Sequence, residues 1–206
     1  MKDINTFFKE LGNDPEAFQH CQNGCIPTCV RNVLKFYDIK NQNGNEWSQK
    51  DVMEYFNSKI FPPQNIQCPC CKQFYNEMPT FRIMKEFENY PPFGKKYQAK
   101  ISPDEDDKEV KEKVLESGTQ LRDYILKNLF EIVVSDTPRP VLVSLMPPEI
   151  GDSHICIVTG LNDHEVHLFD PGDRVGFIKK SREWFDALLN LRNKSDYSRI
   201  CYVYNR

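Results

Sequence analysis

QHCQNGCIPTCVRNVLKFY, residues 19–37, is the stretch whose reading decides the fold. In its second half Val30, Val33, Leu34 and Tyr37 follow the i, i+3, i+4, i+7 spacing of an amphipathic helix, and Pro27 suits the first turn of that helix. Cys25 therefore stands at a helix N-terminus. There the partial positive charge and the unpaired N–H groups of the first turn favour a thiolate over the thiol that otherwise predominates at neutral pH. A thiolate so placed needs an imidazole nearby, to hold the ion pair and later to protonate a leaving group.

Working outward, the loop at residues 41–45 ends the helix, Ser48 has the character of an N-cap, and residues 51–60 read as a second helix before the breaker Pro62-Pro63. A cysteine-rich turn follows at residues 68–71. Residues 79–89 predict a short helix, 97–101 a strand, 103–113 a solvated charged loop, and 121–132 a helix with an apolar face formed by Leu121, Tyr124, Ile125, Leu129 and Ile132. Beyond this point the pattern changes. Residues 141–145, 154–160, 165–169 and 175–179 are short β-branched or aromatic runs divided by Pro, Gly, Asn and Asp, as in an antiparallel meander. A helix over 181–191 and a strand over 199–204 complete the chain. The expected class is α+β: one domain spanning residues 1–206, with a helical half (about 1–135) packed on an antiparallel sheet half (about 136–206).

Four histidines are available as the partner of Cys25: His20, His154, His164 and His167. His154 opens an apolar strand directly after a loop, where a side chain can project from the sheet into a cleft, whereas His164 falls in a hairpin turn. If the strands on either side of Leu161-Asn162-Asp163 pair about Asn162, His154 lies across from Asp170. Asp170 precedes Pro171-Gly172, which ends the strand and leaves the carboxylate free to fix the imidazole tautomer. Acyl transfer also needs donors for an oxyanion. The Cys25 N–H is one, and the side-chain amide of Gln19 or Gln22 is a candidate for the other.

Gln19, then Cys25-Ile26-Pro27-Thr28 and a helix, then Pro140-Val141-Leu142-Val143, then His154-Ile155-Cys156-Ile157-Val158-Thr159-Gly160, then Val166-His167-Leu168-Phe169-Asp170-Pro171, resembles the C39-like family of papain-fold peptidases, which includes bacteriocin-leader processing domains. The resemblance spans nearly the whole chain in order. It implies a papain-like cysteine protease fold, Cys25 as nucleophile, His154 as base, Asp170 as its orienter and Gln19 as oxyanion donor. Glycine usually follows the nucleophile in that family. Here Ile26 does, which could narrow the cleft or alter the backbone. No transporter-like region accompanies the motifs, so processing of a double-glycine leader is not carried over.

The resulting expectation is a cysteine peptidase acting on a peptide or isopeptide bond through a thioester on Cys25. The alternatives are an acyltransferase of the same fold and a non-catalytic papain-fold binding module. The expected partner is a peptide or protein substrate. A formal charge of −3 and the lack of a basic cluster interleaved with aromatics speak against nucleic acid. No apolar run is long enough to span a bilayer and no secretory stretch opens the chain, so a cytoplasmic location and reduced thiols are expected. No cofactor is expected. Cys68, Cys70 and Cys71 contain half of a zinc site and are weak metal candidates beside the plainer reading of a cysteine-rich loop. Cys21, Cys29, Cys156 and Cys201 read as inert core or near-surface thiols, since cysteine is among the most often buried residues. Trp47 and Trp184 read as packing residues, and the acidic cluster at residues 104–107 as solvated.

Overall fold

A computed structural model describes residues 3–20, 24–57, 66–67, 74–75, 82–102, 118–145, 154–172, 176–189, 191–193, 196–197 and 199–206. Its helices are α1 (Ile4–Leu11), α2 (Cys25–Phe36), α3 (Gln49–Asn57), α4 (Arg82–Glu86), α5 (Pro91–Gly94), α6 (Gly118–Val133) and α7 (Arg182–Leu188). Two short hairpins pair β1 (Ile66–Gln67) with β2 (Phe74–Tyr75) and β8 (Leu191–Asn193) with β9 (Asp196–Tyr197). The other strands are β3 (Tyr97–Ser102), β4 (Val141–Leu145), β5 (His154–Leu161), β6 (Glu165–Phe169), β7 (Phe177–Ser181) and β10 (Ile200–Asn205). They form one antiparallel sheet in the order β3-β10-β4-β5-β6-β7.

The α+β architecture is the expected one, but the sheet is more than a meander. The last strand, β10, is inserted between β4 and β3, so a strand from the helical half becomes an edge of the sheet. The helical half is also divided between the two faces. Leu142, Ile155, Ile157, Phe169, Cys201 and Val203 meet α1, α2 and the aromatic cluster Phe87, Tyr90 and Phe93. On the opposite face Val143, Cys156, Val158, Val166 and Leu168 meet α6 and α7. Coverage of both faces explains why β4 and β5 read as almost unbroken apolar runs instead of alternating ones.

Local chemistry sets the helix starts. Ser48 and Asp51 form a reciprocal capping box: Asp51 N–H donates to Ser48 Oγ and Ser48 N–H to Asp51 Oδ2, both at 3.0 Å. Helix α1 was not expected. Asp3 caps it by accepting from Thr6 N–H at 2.8 Å, and it buries Ile4, Phe8 and Leu11, with Phe8 against Phe36 and Phe169. The i, i+4, i+7 spacing of those three residues is the signal that reveals it. Strand β7 begins at Phe177, two residues later than expected, after Gly176 turns the chain with φ of 71°. Trp47 is buried among Tyr55, Phe87 and Tyr90 as a packing residue should be. Trp184 is not: it is 38% exposed on α7, with the Lys180 ammonium over its ring.

The segment before α2 is fixed by a charged network. Arg31, almost wholly buried on α2, donates to Asp14 Oδ2 at 2.6 Å and to the Trp47 carbonyl at 3.1 Å, and Lys35 reaches Asp14 at 2.7 Å and Glu46 at 2.8 Å. Removing Asp14 leaves a buried guanidinium short of its principal partner, a change that costs about 3 kcal/mol when a second acid stays near. Asp14→Ala is accordingly expected to lower the urea midpoint at unchanged slope; an unaltered midpoint would mean that Glu46, 3.7 Å from Arg31, suffices alone.

Candidate active site

Helix α2 starts at Cys25 with Gly24 as its N-cap, a residue without a side chain to occupy the first-turn N–H groups. Thr28 N–H and Oγ1 both return to the Gly24 carbonyl, at 3.2 and 2.6 Å, so the first turn is regular despite Ile26. Ile26 is partly buried and packs on the core. The Cys25 side chain is 8% exposed. Cys29, one turn later, is a different case. It is fully buried, donates its thiol to the Ile155 carbonyl at 3.4 Å, and has its pKa pushed well above the ordinary thiol value by that burial. Of the two thiols on this side of α2, only Cys25 keeps access.

His154 opens β5, and its Nε2 lies 2.7 Å from Asp170 Oδ1. The pair is made, but not by the expected register. The β5–β6 turn is centred between Asp163 and His164, with Asn162 Oδ1 accepting from the N–H groups of His164 and Glu165. A bulge between Val158 and Gly160 then shifts the pairing to Val158↔Leu168 and Ile157↔Phe169. Continued by one pair, this register sets Asp170 level with Cys156, two residues beyond His154, so the imidazole reaches the carboxylate diagonally.

Burial disfavours a charged ring at His154. Hydrogen bonding to Asp170, and then to the thiols of Cys156 and Cys25, outweighs that and pushes its pKa up to about 12. With Nε2 committed to Asp170, Nδ1 is the nitrogen left for a thiol.

Gln19 is delivered to the same place by the backbone. Its N–H donates to the Pro171 carbonyl at 2.9 Å, tying the segment before α2 to the turn after β6. Its side-chain oxygen is buried without a hydrogen-bond partner. Gly172 shows how closely these groups converge: a Cβ there would stand 3.2 Å from His154 Cε1, 3.3 Å from Asp170 Oδ1 and 3.5 Å from Gln19 Nε2. The Gly172 N–H also donates to Asp170 Oδ1 at 2.8 Å. Gly172→Ala is expected to displace the His154 ring and the Gln19 amide, read as a shift of the His154 imidazole resonances by NMR, with little change in thermal stability because the residue is exposed. A loss of stability with unshifted resonances would show that the turn, and not the site, feels the methyl group.

No sequence family profile matches the chain, and no curated protein matches it by sequence. Solved structures do match. The peptidase domain of Streptococcus ComA, a bi-functional ABC transporter involved in a quorum-sensing pathway, superposes with a TM-score of 0.46 at 14% identity, covering 91% of this chain and 94% of that one. A chain from Bacillus anthracis assigned as a C39-like peptidase superposes with a TM-score of 0.50 at 14% identity, covering 94% of this chain and 96% of that one. The chain has a C39-like, papain-type fold.

Within this C39-like fold the remaining histidines lie apart from the Cys25 helix start. His20 is exposed beside Glu16, His164 sits in the β5–β6 turn, and His167 bonds Glu165 at 2.7 Å. Two residues that sequence reasoning passed over bear on the site. Gln49 donates to the carbonyls of Phe18 at 2.6 Å and Glu16 at 3.2 Å and accepts from His20 N–H at 3.4 Å, so it holds the strap that carries Gln19. Cys156, read as inert, is buried as expected but has its sulfur beside His154 and Asp170; its period-2 relation to His154 was the available signal. Gln22, Cys68, Cys70, Cys71 and the acidic cluster at 104–107 lie outside the described residues. Among the described residues Cys25, Cys29, Cys156 and Cys201 are free thiols, and no helix is long and apolar enough to cross a membrane.

Proposed function

We propose that the chain is a cysteine peptidase that hydrolyses a peptide or isopeptide bond through a thioester on Cys25. The observation that carries this reading is the convergence of His154, anchored on Asp170 at 2.7 Å through one nitrogen, with the Gln19 side-chain amide at the turn after β6, in a chain whose Cys25 stands at the N-terminus of α2.

In this reading the His154 imidazolium and the Cys25 thiolate form an ion pair that Asp170 orients. The thiolate attacks the substrate carbonyl, and the Cys25 N–H and the Gln19 amide N–H stabilise the resulting oxyanion. Collapse breaks the C–N bond, with His154 giving its proton to the departing amine and leaving an acyl thioester on Cys25. His154, now neutral, takes a proton from water as the water attacks the thioester. The acid product leaves and the ion pair is restored. An amine in place of that water would give acyl transfer with the same residues.

An irreversible thiol-directed peptide analogue is expected to label Cys25 alone, with labelling lost in Cys25→Ala and strongly reduced in His154→Ala. Equal labelling of several cysteines would contradict the assignment. Digestion of a proteome-derived peptide library by wild type and by Cys25→Ala, read by mass spectrometry with and without a competing amine, identifies the cleaved sequence and separates hydrolysis from transfer.

A further inference from the structure

The peptidase reading gives Cys156 nothing to do, yet its surroundings are unlike those of an ordinary core thiol. Donor atoms of His154, Cys156 and Asp170 all lie within 4.8 Å of one another. The three converge because His154 and Cys156 are two apart on β5 while the β6 register brings Asp170 level with Cys156. Cys201, by contrast, is a buried thiol outside any such donor group among the described residues.

A thiolate, an imidazole and a carboxylate form a donor set suited to Zn²⁺, which takes sulfur at about 2.3 Å and nitrogen or oxygen at about 2.0–2.2 Å in tetrahedral sites. Donors bound to one such ion are separated by about 3.2–3.8 Å. Side-chain movements of about an ångström would bring the three into that range. They include a parting of His154 Nε2 and Asp170 Oδ1 from their present 2.7 Å.

We infer that Cys156, His154 and Asp170 form a binding site for a thiophilic divalent cation, with Zn²⁺ as its natural occupant. Zn²⁺ there engages the imidazole and the carboxylate that the peptidase reading assigns to catalysis, and on binding the Cys156 thiol and the His154 imidazolium each release a proton to solvent. The metal thus acts as a reversible inhibitor. That consequence rests on the peptidase reading, but the site itself does not.

Co²⁺ serves as the probe, because thiolate ligation gives an intense near-ultraviolet charge-transfer band and tetrahedral geometry gives strong visible bands. The titration uses the full chain carrying Cys68→Ser, Cys70→Ser and Cys71→Ser, so that the cysteine-rich loop does not contribute. One equivalent of Co²⁺, displaced by Zn²⁺, is expected. In Cys156→Ser the charge-transfer band should disappear and affinity should fall about a hundredfold or more, beyond the loss typical of second-shell changes. Cys156→Val, suited to a buried strand position, guards against misfolding of the serine variant, and both are checked by thermal unfolding. Zn²⁺ should slow alkylation of Cys25 in the parent and not in Cys156→Ser. No Co²⁺ binding, or the same spectrum and affinity without Cys156, overturns the inference. Failure of the metal-free protein to react at Cys25 would instead count against the peptidase reading.

Discussion

Replacing His154 with alanine is expected to lower kcat/KM on any peptide the protein cleaves by about 10⁶-fold, the loss seen when the nucleophile or the base of such a unit is removed. Two functions disappear together. The thiolate loses the cation that stabilises it, and the departing amine loses its proton donor. Adding Cys25→Ala should make matters little worse, because residues that act as one unit are not additive. Asp170→Asn should cost less, since in the proposed mechanism the carboxylate only orients the ring. Steady-state kinetics on a peptide identified from the library measure all three. A rate within tenfold of wild type in His154→Ala would remove this residue from the chemistry.

Gln19→Ala is expected to lower kcat by about 10²- to 10³-fold with little effect on KM, as when a donor to a developing oxyanion is lost. The amide is held in place by backbone anchoring of Gln19 to Pro171 and by Gln49 beneath the preceding residues, and its buried oxygen makes no hydrogen bond. A polar group kept buried and incompletely bonded is costly unless it serves a purpose. Gln22→Ala is the control. If the Gln22 variant is the one that fails, the oxyanion donor is wrongly assigned. Gln49→Ala should give a smaller fall in kcat that follows the loosening of residues 15–20, with Gln49→Glu restoring neither amide donor.

What could be read in advance, and what could not, follows from the range of the interactions. The Cys25 helix was legible because capping and 3.6-residue periodicity act within a dozen residues. Strands β4, β5 and β6 were legible because β-branched runs bounded by turn residues leave few other readings. The register between β5 and β6 was not. It depends on whether the turn is centred on Asn162 or beyond Asp163 and on a bulge at Thr159, neither of which local composition specifies. The His154–Asp170 bond survives because a diagonal neighbour is still within reach of an imidazole. Insertion of β10 between β3 and β4 is a long-range event, as is the allocation of α6 to the far face. Both are settled by which apolar faces remain to be covered. The role of Gln49 was hidden for the same reason: its partners Glu16, Phe18 and His20 are about thirty residues away.

The His154 charge also links the site to stability. An unfolded imidazole titrates near pH 6.5, whereas in the folded chain the pKa is pushed up to about 12, so folding tightens proton binding. The stabilisation is complete below about pH 6.5 and is lost as pH rises towards 12. Wild type should therefore lose stability across that alkaline window more steeply than His154→Ala in chemical denaturation. Parallel curves would mean that the ring is neutral in the folded state.

The most direct measurement is the rate of Cys25 carbamidomethylation by iodoacetamide at pH 6, followed by peptide mapping in wild type and in His154→Ala. The account predicts that Cys25 is the fastest-reacting cysteine in wild type and that loss of the ring slows it by at least about tenfold. Equal Cys25 rates in the two proteins would contradict the ion pair and the peptidase assignment built on it.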